Sequence, residues 1–566
     1  MFLWIKTGFD ISTLSFDAMD CVHQVRTPKT VAFYAKTQFT TLEDSFFDAD
    51  ADGYTMFQGI IVNSSEQISR YAAPDLPDLI KTALAKGRQN MLGDFHGQFC
   101  AISYSASADA LIAVTNVTNG MRVYYYQDRD TAIVSTSLKL ITNAMKHLDI
   151  VPQCDEIAAR MVLSYGYTLE DFTTIQGVKQ LGAGNCLSLC GNSLEVRSYH
   201  RFNNETLYTD PKSALQELDR LFQKAVSTAY EKDLEKGRKH IAFLSGGLDS
   251  RIGVWAAYKQ GYRDLTCLNF SQPGYADELI ARRICKDLDL GFQFFSLAKG
   301  DYLLHLDDNL VYNDGQIILH GAAHLYQAIQ QVDTGTYGIF HSGQIGDFIL
   351  GSNLEAPYQK AVDLNKGAYS QRLLDSFLPE IGYIRERYPN HELFYFYNRC
   401  FNAVMNGDYA CSTNSLSLSP FLEPQFAQFG MNISPKLRFH NQLYIEWFKR
   451  YYPEAASYRW EKTGTNLYTP QALTALRMLG IRGISKVYRT IAQKPPSRSM
   501  NPFDLWYEQN HDLRAKYGHQ TELMDTLGGQ ISPELKTDML RMLQNGNFSE
   551  LLQVYTVLRG LTYLLQ

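Results

Sequence analysis

The chain has 566 residues, of which 45% are hydrophobic and 20% are charged, with a formal net charge of -6. This composition is ordinary for a soluble globular protein. The slightly acidic balance gives no long-range attraction to nucleic acid or to an anionic membrane. No run of about 18 apolar residues predicts a membrane-spanning helix, and the opening MFLWIKTGFD has too short an apolar part for a signal peptide. We therefore expect neither nucleic-acid nor membrane partners.

Nine cysteines are scattered along the chain without a CxxC pair. An odd and irregular count in a large chain favours reduced thiols over a disulfide framework. The cysteine pattern therefore predicts a cytoplasmic protein.

The first part of the chain alternates short β-rich runs with turns. Paired strands are predicted at Gly97–Tyr104 and Ala110–Val117. The segments VYYYQD and TAIVSTS are further short β-rich runs at similar spacing. Regularly spaced short strands with turn residues between them are typical of a sheet-rich domain. A helix is predicted to follow at Asp155, so this part is expected to be of the α+β class.

The pattern of apolar residues changes near residue 205 from one typical of strands to one typical of helices. Asp210 and Pro211 form a predicted cap and first turn for a segment whose apolar residues recur at helical spacing. At about 100–200 residues per domain the length allows two to four domains. We place the boundary here and predict one domain over 1–205 and another over 206–566.

Strands and helices alternate in the first part of 206–566. Strands are predicted at His240–Leu244, Leu265–Phe270 and Tyr337–His341, each followed by a turn and a helical segment. This alternation predicts an α/β domain with a doubly wound parallel sheet and ligands at the carboxyl ends of its strands. Beyond about residue 355 the chain is predicted to be mostly helical.

The most informative stretch is HIAFLSGGLDSRIGVW, which begins at His240. Its two glycines let a ligand approach the main chain closely, and the free N–H groups at the start of the next helix favour an anion. The serine hydroxyls add donors, so the stretch predicts a phosphate cradle. The residues assigned to nucleotide binding here are Phe243, Leu244, Ser245, Gly246, Gly247, Asp249 and Ser250.

An aspartate inside an anion site would repel phosphate. Asp249 is explained if it holds a Mg²⁺ that bridges the phosphates. The alternative is a plain glycine turn in which Asp249 caps the helix. The string is neither a Walker A sequence nor GxGxxG, which excludes the standard kinase and dinucleotide folds.

LSGGLDS resembles the pyrophosphatase loop of the asparagine synthetase-like family. That family includes β-lactam synthetases, lasso-peptide cyclases and amidating enzymes of surface-polysaccharide pathways. The resemblance implies an enzyme that cleaves ATP between the α and β phosphates, adenylates a carboxylate and lets a nitrogen nucleophile displace AMP. ATP and Mg²⁺ are therefore the implied cofactors.

Two further segments resemble the family's nucleotide site. LNFSQPGYADELIARRICKDL resembles its second strand, loop and helix, which implies that Phe270 contacts the adenine. Asp277 and Glu278 open that helix and are equally explained as ordinary N-terminal helix charge. FHSGQIGDFILG resembles the family's Ser-Gly-Glu-Gly-x-Asp-Glu turn, which implies nucleotide contacts from Ser342 and Gly343.

The same turn supplies the second metal ligand that the resemblance implies. Asp347 would join Asp249 in holding Mg²⁺ on the pyrophosphate; the alternative is an aspartate on a surface turn.

Two segments follow in the family's order. In SPFLEPQFAQFGMNISPKLR, Glu423 replaces the family's aspartate and a packing role is expected. NQLYIEWFKRYYPEAASYRWEKTG implies Lys462 as the catalytic lysine, whose ammonium would stabilise charge on the intermediates; otherwise Lys462 is a solvated surface charge.

The N-terminal domain resembles the family's glutaminase half, a sandwich of the N-terminal-nucleophile hydrolase type. Active glutaminases of this type expose an N-terminal cysteine, which acts as nucleophile while its own α-amine acts as base. Here the second residue is Phe2, and Cys21 and Cys100 cannot supply both groups. We therefore expect a degenerate domain that does not hydrolyse glutamine.

Two substitutions in the second turn limit the product. Gln344 stands where asparagine synthetases have a glutamate and β-lactam synthetases a tyrosine. A neutral amide cannot act as a general base, so asparagine is not the expected product and Gln344 is a candidate catalytic residue of changed role. Phe348 replaces the acidic residue after Asp347 and leaves less negative charge near the metal.

The leading hypothesis is an ATP- and Mg²⁺-dependent ligase that joins a small-molecule carboxylate, such as a sugar acid for surface polysaccharide, to ammonia or an amine. One alternative is an intramolecular amide former of the β-lactam synthetase or lasso-peptide cyclase type, with a peptide among its substrates. Another is a catalytically silent nucleotide-binding homologue. Sulfur transfer to transfer RNA would need a reactive cysteine pair or a basic patch, and the sequence shows neither. A homodimer is one oligomeric state that remains open.

Overall fold

Three β-sheets organise the part of the chain that the computed structural model describes, which is 1–8, 23–27, 29–35, 44–470, 472–474, 476–477 and 499–566. Two of the sheets are six-stranded and antiparallel, and the third is five-stranded and parallel. The mixed α/β class expected from the sequence is confirmed. None of the helices described is both long and apolar enough to cross a bilayer.

The two antiparallel sheets are built from the first twelve strands. These are β1 Phe2–Thr7, β2 His23–Arg26, β3 Thr30–Tyr34, β4 Phe46–Ala49, β5 Gly53–Ile61, β6 Gly97–Ser105, β7 Ala110–Thr115, β8 Tyr124–Gln127, β9 Thr131–Ser135, β10 Val178–Gln180, β11 Asn185–Cys190 and β12 Ser193–Ser198. The sheet orders are β10-β8-β9-β1-β3-β2 and β12-β11-β7-β6-β5-β4. The predicted pairing of the strand that begins at Gly97 with the strand that begins at Ala110 is confirmed by the β6–β7 ladder.

The two sheets pack face to face with helices on their outer sides. Phe2 and Trp4 of one sheet share a buried apolar cluster with Met56 and Ile102 of the other. The outer helices are α1 Ser64–Tyr71, α2 Leu76–Leu84, α3 Leu138–His147 and α4 Glu156–Tyr165. Residues of α2 pack against one outer sheet face and residues of α3 and α4 against the other, which gives four layers.

The parallel sheet holds the remaining strands. These are β13 Lys239–Phe243, β14 Leu265–Ser271, β15 Gly291–Ser296, β16 Tyr337–His341 and β17 Ser417–Leu418. Their order is β15-β14-β13-β16-β17, and each neighbouring pair is parallel. The direction of strand addition reverses between β13 and β16. A crevice opens outside the carboxyl ends of the strands at such a switch point, and it is the usual ligand site of an open α/β sheet.

α-Helices are the commonest elements of the described chain after the sandwich. They are α5 Pro211–Glu235, α6 Asp249–Lys259, α7 Ala276–Leu288, α8 Leu310–Asn313, α9 Ala323–Ile329, α10 Gly346–Ile349, α11 Leu374–Ile381, α12 His391–Tyr395, α13 Asn406–Cys411, α14 Pro424–Asn432, α15 Pro435–Arg438, α16 Gln442–Tyr451, α17 Pro453–Ser457, α18 Phe503–Gln509, α19 His511–Tyr517, α20 Gln520–Thr526, α21 Pro533–Asn545 and α22 Phe548–Leu565. A π-helix over Phe396–Val404 joins α12 to the residues before α13. The predicted cap of α5 is confirmed, because Asp210 accepts the Ser213 N–H and Pro211 is the first helical residue.

The sandwich and the parallel sheet share buried apolar contacts. Ile339, Leu416 and Leu418 of the parallel-sheet region belong to the same cluster as Phe2 and Trp4. The boundary placed between residues 205 and 206 falls in the extended segment between β12 and α5 and stays a prediction. This packing fixes one side of the sheet whose strand ends form the crevice.

A buried carboxylate ties the two strands at the switch point together. Asp233 on α5 lies with Oδ2 2.9 Å from His240 Nδ1 and 2.8 Å from His341 Nε2, while its Oδ1 accepts the Ile339 N–H at 2.8 Å. Burial would raise the pKa of Asp233, but His341 and His240 hold it below its ordinary value. Because His240 lies on β13 and His341 ends β16, this network holds the two strands in register.

Replacing this carboxylate should destabilise the sheet. Asp233→Ala leaves two buried imidazoles and one N–H without their partner, and we expect a loss of about 3 kcal/mol or more from the free energy of unfolding. Asp264→Ala is the matched control, because Asp264 pairs with Lys239 at the exposed start of β13; a change under about 0.5 kcal/mol is expected. Urea denaturation compares the two. Equal losses would contradict the role given to Asp233.

Candidate active site

The Ser-Gly-Gly loop between β13 and α6 is held by its own serines. The Ser245 N–H donates to Ser250 Oγ at 3.0 Å, and the Gly247 N–H donates to Ser245 Oγ at 3.1 Å. The two hydroxyl oxygens lie 3.0 Å apart. The hydroxyls predicted to meet phosphate therefore also preorganise the loop.

Asp249 and Asp347 meet at the switch point. Asp249 is the first residue of α6, and its Oδ2 accepts the Asp347 N–H at 3.0 Å. Its Oδ1 accepts the Tyr444 hydroxyl at 2.6 Å. Asp347 lies on α10, directly after β16, with an exposed side chain. The structure thus brings together the two carboxylates that the sequence assigned to one metal site.

The electrostatics of this pair favour a bound cation. Burial, and then the neighbouring Asp347 carboxylate, raise the pKa of Asp249 to about 7, although the Tyr444 hydroxyl and the Asp347 N–H act in the opposite direction. A divalent cation would remove the repulsion between the carboxylates. Carboxylate oxygens are the ligands that Mg²⁺ prefers, so the donor set fits this ion.

Gly343 makes the close approach of the two turns possible. A Cβ at this position would lie 2.5 Å from both the Asp249 carbonyl carbon and the Ser250 nitrogen. Real Cβ atoms do not approach backbone atoms so closely, so only glycine fits between the end of β16 and the start of α6. The glycine predicted to contact nucleotide therefore also has a packing role.

A buried arginine anchors the segment that carries Lys462. Arg251 donates through Nη2 to the carbonyl oxygens of Gly246 at 2.9 Å and Arg459 at 2.7 Å. The Glu461 N–H also donates to the Gly246 carbonyl, at 3.1 Å. Lys462 is exposed, with Nζ 5.6 Å from the centre of the Trp460 ring. Lys462 lines the same cavity as Asp249 and Asp347, and its positive charge acts to lower the pKa of Asp249.

Two cavities adjoin at this point. The first, here called the acidic cavity, has a volume of about 390 Å³ and is lined by Asp249, Asp347, Tyr444, Lys462 and others. The second, the aromatic cavity, has a volume of about 420 Å³. Ser245, Ser250 and Gly343 line both. The predicted site residues that line the aromatic cavity are Phe243, Leu244, Ser245, Ser250, Phe270, Ser342, Gly343 and Gln344, and those that line the acidic cavity are Ser245, Gly247, Asp249, Ser250, Gly343, Asp347 and Lys462.

Gly246 is the predicted nucleotide contact that lines neither cavity. Its N–H already donates to Asp277 Oδ1 at 2.8 Å, and a Cβ here would lie 2.7 Å from Glu461 Cβ. Burial raises the pKa of Asp277 to about 6. Of the two acids at the start of α7, Asp277 holds the loop, whereas Glu278 pairs with Arg282 in an ordinary helical contact.

Sequence reasoning missed Tyr444 and Arg251 as parts of the site. The sequence placed both on helical segments, where each is indistinguishable from any other buried residue. Their partners lie 195 and up to 208 residues away along the chain. No local pattern signals contacts of that range.

The three residues that differ from the asparagine synthetase-like motifs have different surroundings. Phe348 is buried, with its ring stacked 5.5 Å from that of Phe396. Gln344 Oε1 and Ser342 Oγ are buried at the aromatic cavity without a hydrogen-bond partner among the residues described. Glu423 accepts the Phe426 N–H at 2.7 Å and caps α14, which is a packing role.

The N-terminal residues are part of the sandwich. Phe2 is fully buried, and the amino group of Met1 donates to the Ala35 carbonyl at 2.7 Å. Cys100 is buried on β6, and Cys21 lies outside the described residues. Phe2 and Cys100 are thus core residues of the two sheets.

Comparisons with known proteins leave the family of this chain open. No family model matches the sequence, and neither does any curated protein. Among solved structures, the allosteric regulatory enzyme of purine biosynthesis matches with a TM-score of 0.22 at 9% identity over 52% of this chain and 74% of that one. Glutamine phosphoribosylpyrophosphate amidotransferase from B. subtilis, complexed with ADP and GMP, matches with a TM-score of 0.21 at 10% identity over 52% and 59%.

A third structure, NMN synthetase from Francisella tularensis, matches with a TM-score of 0.17 at 20% identity over 25% of this chain and 58% of that one. TM-scores of 0.17 to 0.22 establish neither fold nor function. The function of the chain therefore has to be argued from its own geometry.

A methyl group at the contact between the two turns should disable the site. Gly343→Ala forces the end of β16 away from α6, and we expect binding of Mg²⁺-ATP to weaken by about tenfold or more, with the fold retained. Gly253→Ala on α6 is the control, because a Cβ there meets nothing within 4 Å. Titration calorimetry measures both affinities. Unchanged binding by Gly343→Ala would show that the close approach is not needed.

Proposed function

We propose that this chain is an ATP- and Mg²⁺-dependent ligase that activates a carboxylate as its acyl adenylate and transfers the acyl group to ammonia or an amine. The observation that carries this proposal is the meeting of Asp249 and Asp347 at the switch point, beside a glycine-rich loop and in a cavity that Lys462 also lines. The resemblance of the loop to asparagine synthetase-like sequences supports the same reaction. AMP and pyrophosphate are the other products.

The acidic cavity suits the pyrophosphate end of ATP. Asp249 and Asp347 would hold Mg²⁺, which supplies neutralising charge to the departing pyrophosphate. Gly247 lines this cavity, and the N-terminal end of α6 faces it. A helix N-terminus attracts phosphate oxygens through its free N–H groups.

The aromatic cavity suits the nucleoside and the acid. Phe243, Leu268 and Phe270 form an apolar wall at the strand ends, which is suited to the adenine ring. Ser342 Oγ lacks a partner among the residues described and can donate to a ligand. Since the two cavities share Ser245, Ser250 and Gly343, the α-phosphate would lie at their junction.

The proposed reaction has two steps. A carboxylate oxygen of the acid attacks the α-phosphorus, the bond to the β-phosphate oxygen breaks, and pyrophosphate leaves. The nitrogen nucleophile then attacks the acyl carbon, a proton leaves the nitrogen, and AMP departs. Lys462 would stabilise the negative charge of both steps. Gln344 can orient the nucleophile with its amide but cannot remove the proton.

Within this reaction class we favour a sugar acid or related small carboxylate of surface-polysaccharide synthesis as the acid. An intramolecular amide former would use the same catalytic groups on a single substrate. The products distinguish the two enzymes. The ligase incorporates free ammonia or a free amine into its product, whereas the intramolecular amide former does not. A silent homologue would bind ATP without releasing AMP.

The carboxylate pair should be required for activation of the acid. Asp249→Asn and Asp347→Asn should each lower ATP–pyrophosphate exchange with candidate acids by about 100-fold or more, because charge on the leaving group is no longer neutralised. Asp264→Asn, at an exposed position outside both cavities, should exchange normally. If the wild-type chain binds ATP but shows no exchange, the silent homologue is supported. If the Asp249 variant exchanges at the normal rate, the metal role is wrong.

Lys462 should act in the chemistry rather than in binding. Lys462→Ala should keep the affinity for Mg²⁺-ATP within about threefold but lower formation of AMP by about 100-fold, because one charge-stabilising donor is lost. Lys436→Ala, at an exposed site on α15, is the control. Single-turnover assays of AMP release compare the variants. A large loss of ATP affinity with unchanged turnover would assign Lys462 to binding instead.

A further inference from the structure

One guanidinium lies in the wall of the aromatic cavity. Arg399 belongs to the π-helix Phe396–Val404, and its neighbours Ala403 and Val404 line the same cavity. π-helical turns are rare and occur frequently at functional sites. The widened turn is therefore placed where it brings a cation to the cavity.

Arg399 has aromatic neighbours but no acidic one. Its guanidinium carbon lies 5.6 Å from the centre of the Tyr369 ring and 5.9 Å from that of Tyr395. Among the residues described, the ionisable groups that act on its charge are the phenols of Tyr369, Tyr167 and Tyr395, and none of them is a carboxylate. The acid in the cavity lining, Asp277, is already bonded to Gly246. A guanidinium of this kind is suited to bind a carboxylate or phosphate group through two parallel hydrogen bonds.

Several residues that line the same cavity have buried polar atoms without a hydrogen-bond partner among the residues described. Within the described part of the chain, these are Oε1 of Gln344, Oδ1 and Nδ2 of Asn406, Nδ1 of His324, Oδ1 of Asn269 and Oγ of Ser342. Leaving such atoms unpaired costs about 1–3 kcal/mol each. The set contains both donors and acceptors. Hydroxyl groups of a ligand satisfy both kinds, since each hydroxyl donates once and accepts twice.

We infer that the acid bound in this cavity is a hydroxylated acid with a second anionic group, either carboxylate or phosphate, and that Arg399 binds that group. The strand-end wall takes the nucleoside, and the π-helix wall takes the far end of the acid. Tyr167 and Tyr369 line the same cavity and can pack against the carbon skeleton. The inference rests on the proposed function, because that function places the acid in the aromatic cavity.

Binding measurements without turnover test this inference. The full chain is saturated with Mg²⁺ and the cleavage-resistant α,β-methylene analogue of ATP and titrated with four acids in a calorimeter. Gluconate has hydroxyls and one carboxylate, glucarate has hydroxyls and two, 6-phosphogluconate has hydroxyls with a carboxylate and a phosphate, and adipate has two carboxylates without hydroxyls. We expect glucarate or 6-phosphogluconate to bind about tenfold or more tightly than both gluconate and adipate. Whichever of glucarate and 6-phosphogluconate binds more tightly shows whether the second anionic group is a carboxylate or a phosphate.

Three arginine variants test whether Arg399 causes the preference for the dianionic acid. Arg399→Gln should bring the favoured dianion to the affinity of gluconate, and Arg399→Lys should restore part of the difference because it keeps the charge without the planar fork. Arg385→Gln, at an exposed arginine outside the cavity, should bind like the wild-type chain. Unchanged affinity for the ATP analogue shows that each variant has a folded nucleotide site.

Several outcomes would overturn the inference. These are equal binding of gluconate and both hydroxylated dianions, a dianion preference that survives Arg399→Gln, adipate binding as tightly as glucarate, or no binding of any of the four acids. None of these depends on catalysis. Failure of the proposed function is seen separately, as absence of ATP–pyrophosphate exchange in a chain that binds the dianion with an Arg399-dependent preference.

Discussion

Repulsion between two carboxylates is the constraint around which the site is built. Asp249 and Asp347 come from turns that follow neighbouring parallel strands, and the Asp347 N–H and Tyr444 hydroxyl both hydrogen-bond the Asp249 carboxylate. Burial and the second carboxylate still raise the pKa of Asp249 to about 7. Gly343 is required because no side chain fits between the two turns. The divalent cation proposed for this site would remove the repulsion between the two carboxylates.

The supporting contacts reach far from the carboxylates. Asp233 joins β13 to β16 through two histidines, and Arg251 ties the Ser-Gly-Gly loop to the segment that carries Lys462. The Asp277 carboxylate also holds this loop, because it accepts the Gly246 N–H. These contacts fix the loop at the junction between the acidic and aromatic cavities. Such preorganisation allows charge that develops in a reaction to be stabilised without rearrangement of the protein.

The N-terminal sandwich contributes to this architecture through its contacts with the rest of the chain. The Arg122 guanidinium lies 4.0 Å from the centre of the Tyr409 ring and donates to the Asn313 carbonyl at 3.1 Å. The Tyr409 hydroxyl donates back to the Asn119 carbonyl at 2.7 Å. Tyr409 lies on α13, which also carries Asn406 of the aromatic cavity. The sandwich therefore supports the helical wall of that cavity.

The amino-acid sequence alone determined the class of the fold, the strands that carry the site and the two turns that follow them, because apolar periodicity and glycine-rich turns are local properties. It also placed Asp249, Asp347 and Lys462 near one another through their resemblance to a known order of motifs. The contact of Gly246 with Asp277, and the places of Tyr444 and Arg251 in the site, became visible in the folded chain. The fold likewise places Arg399 in the cavity wall. These contacts join residues far apart in the chain, and chain folding, rather than any local pattern, brings them together.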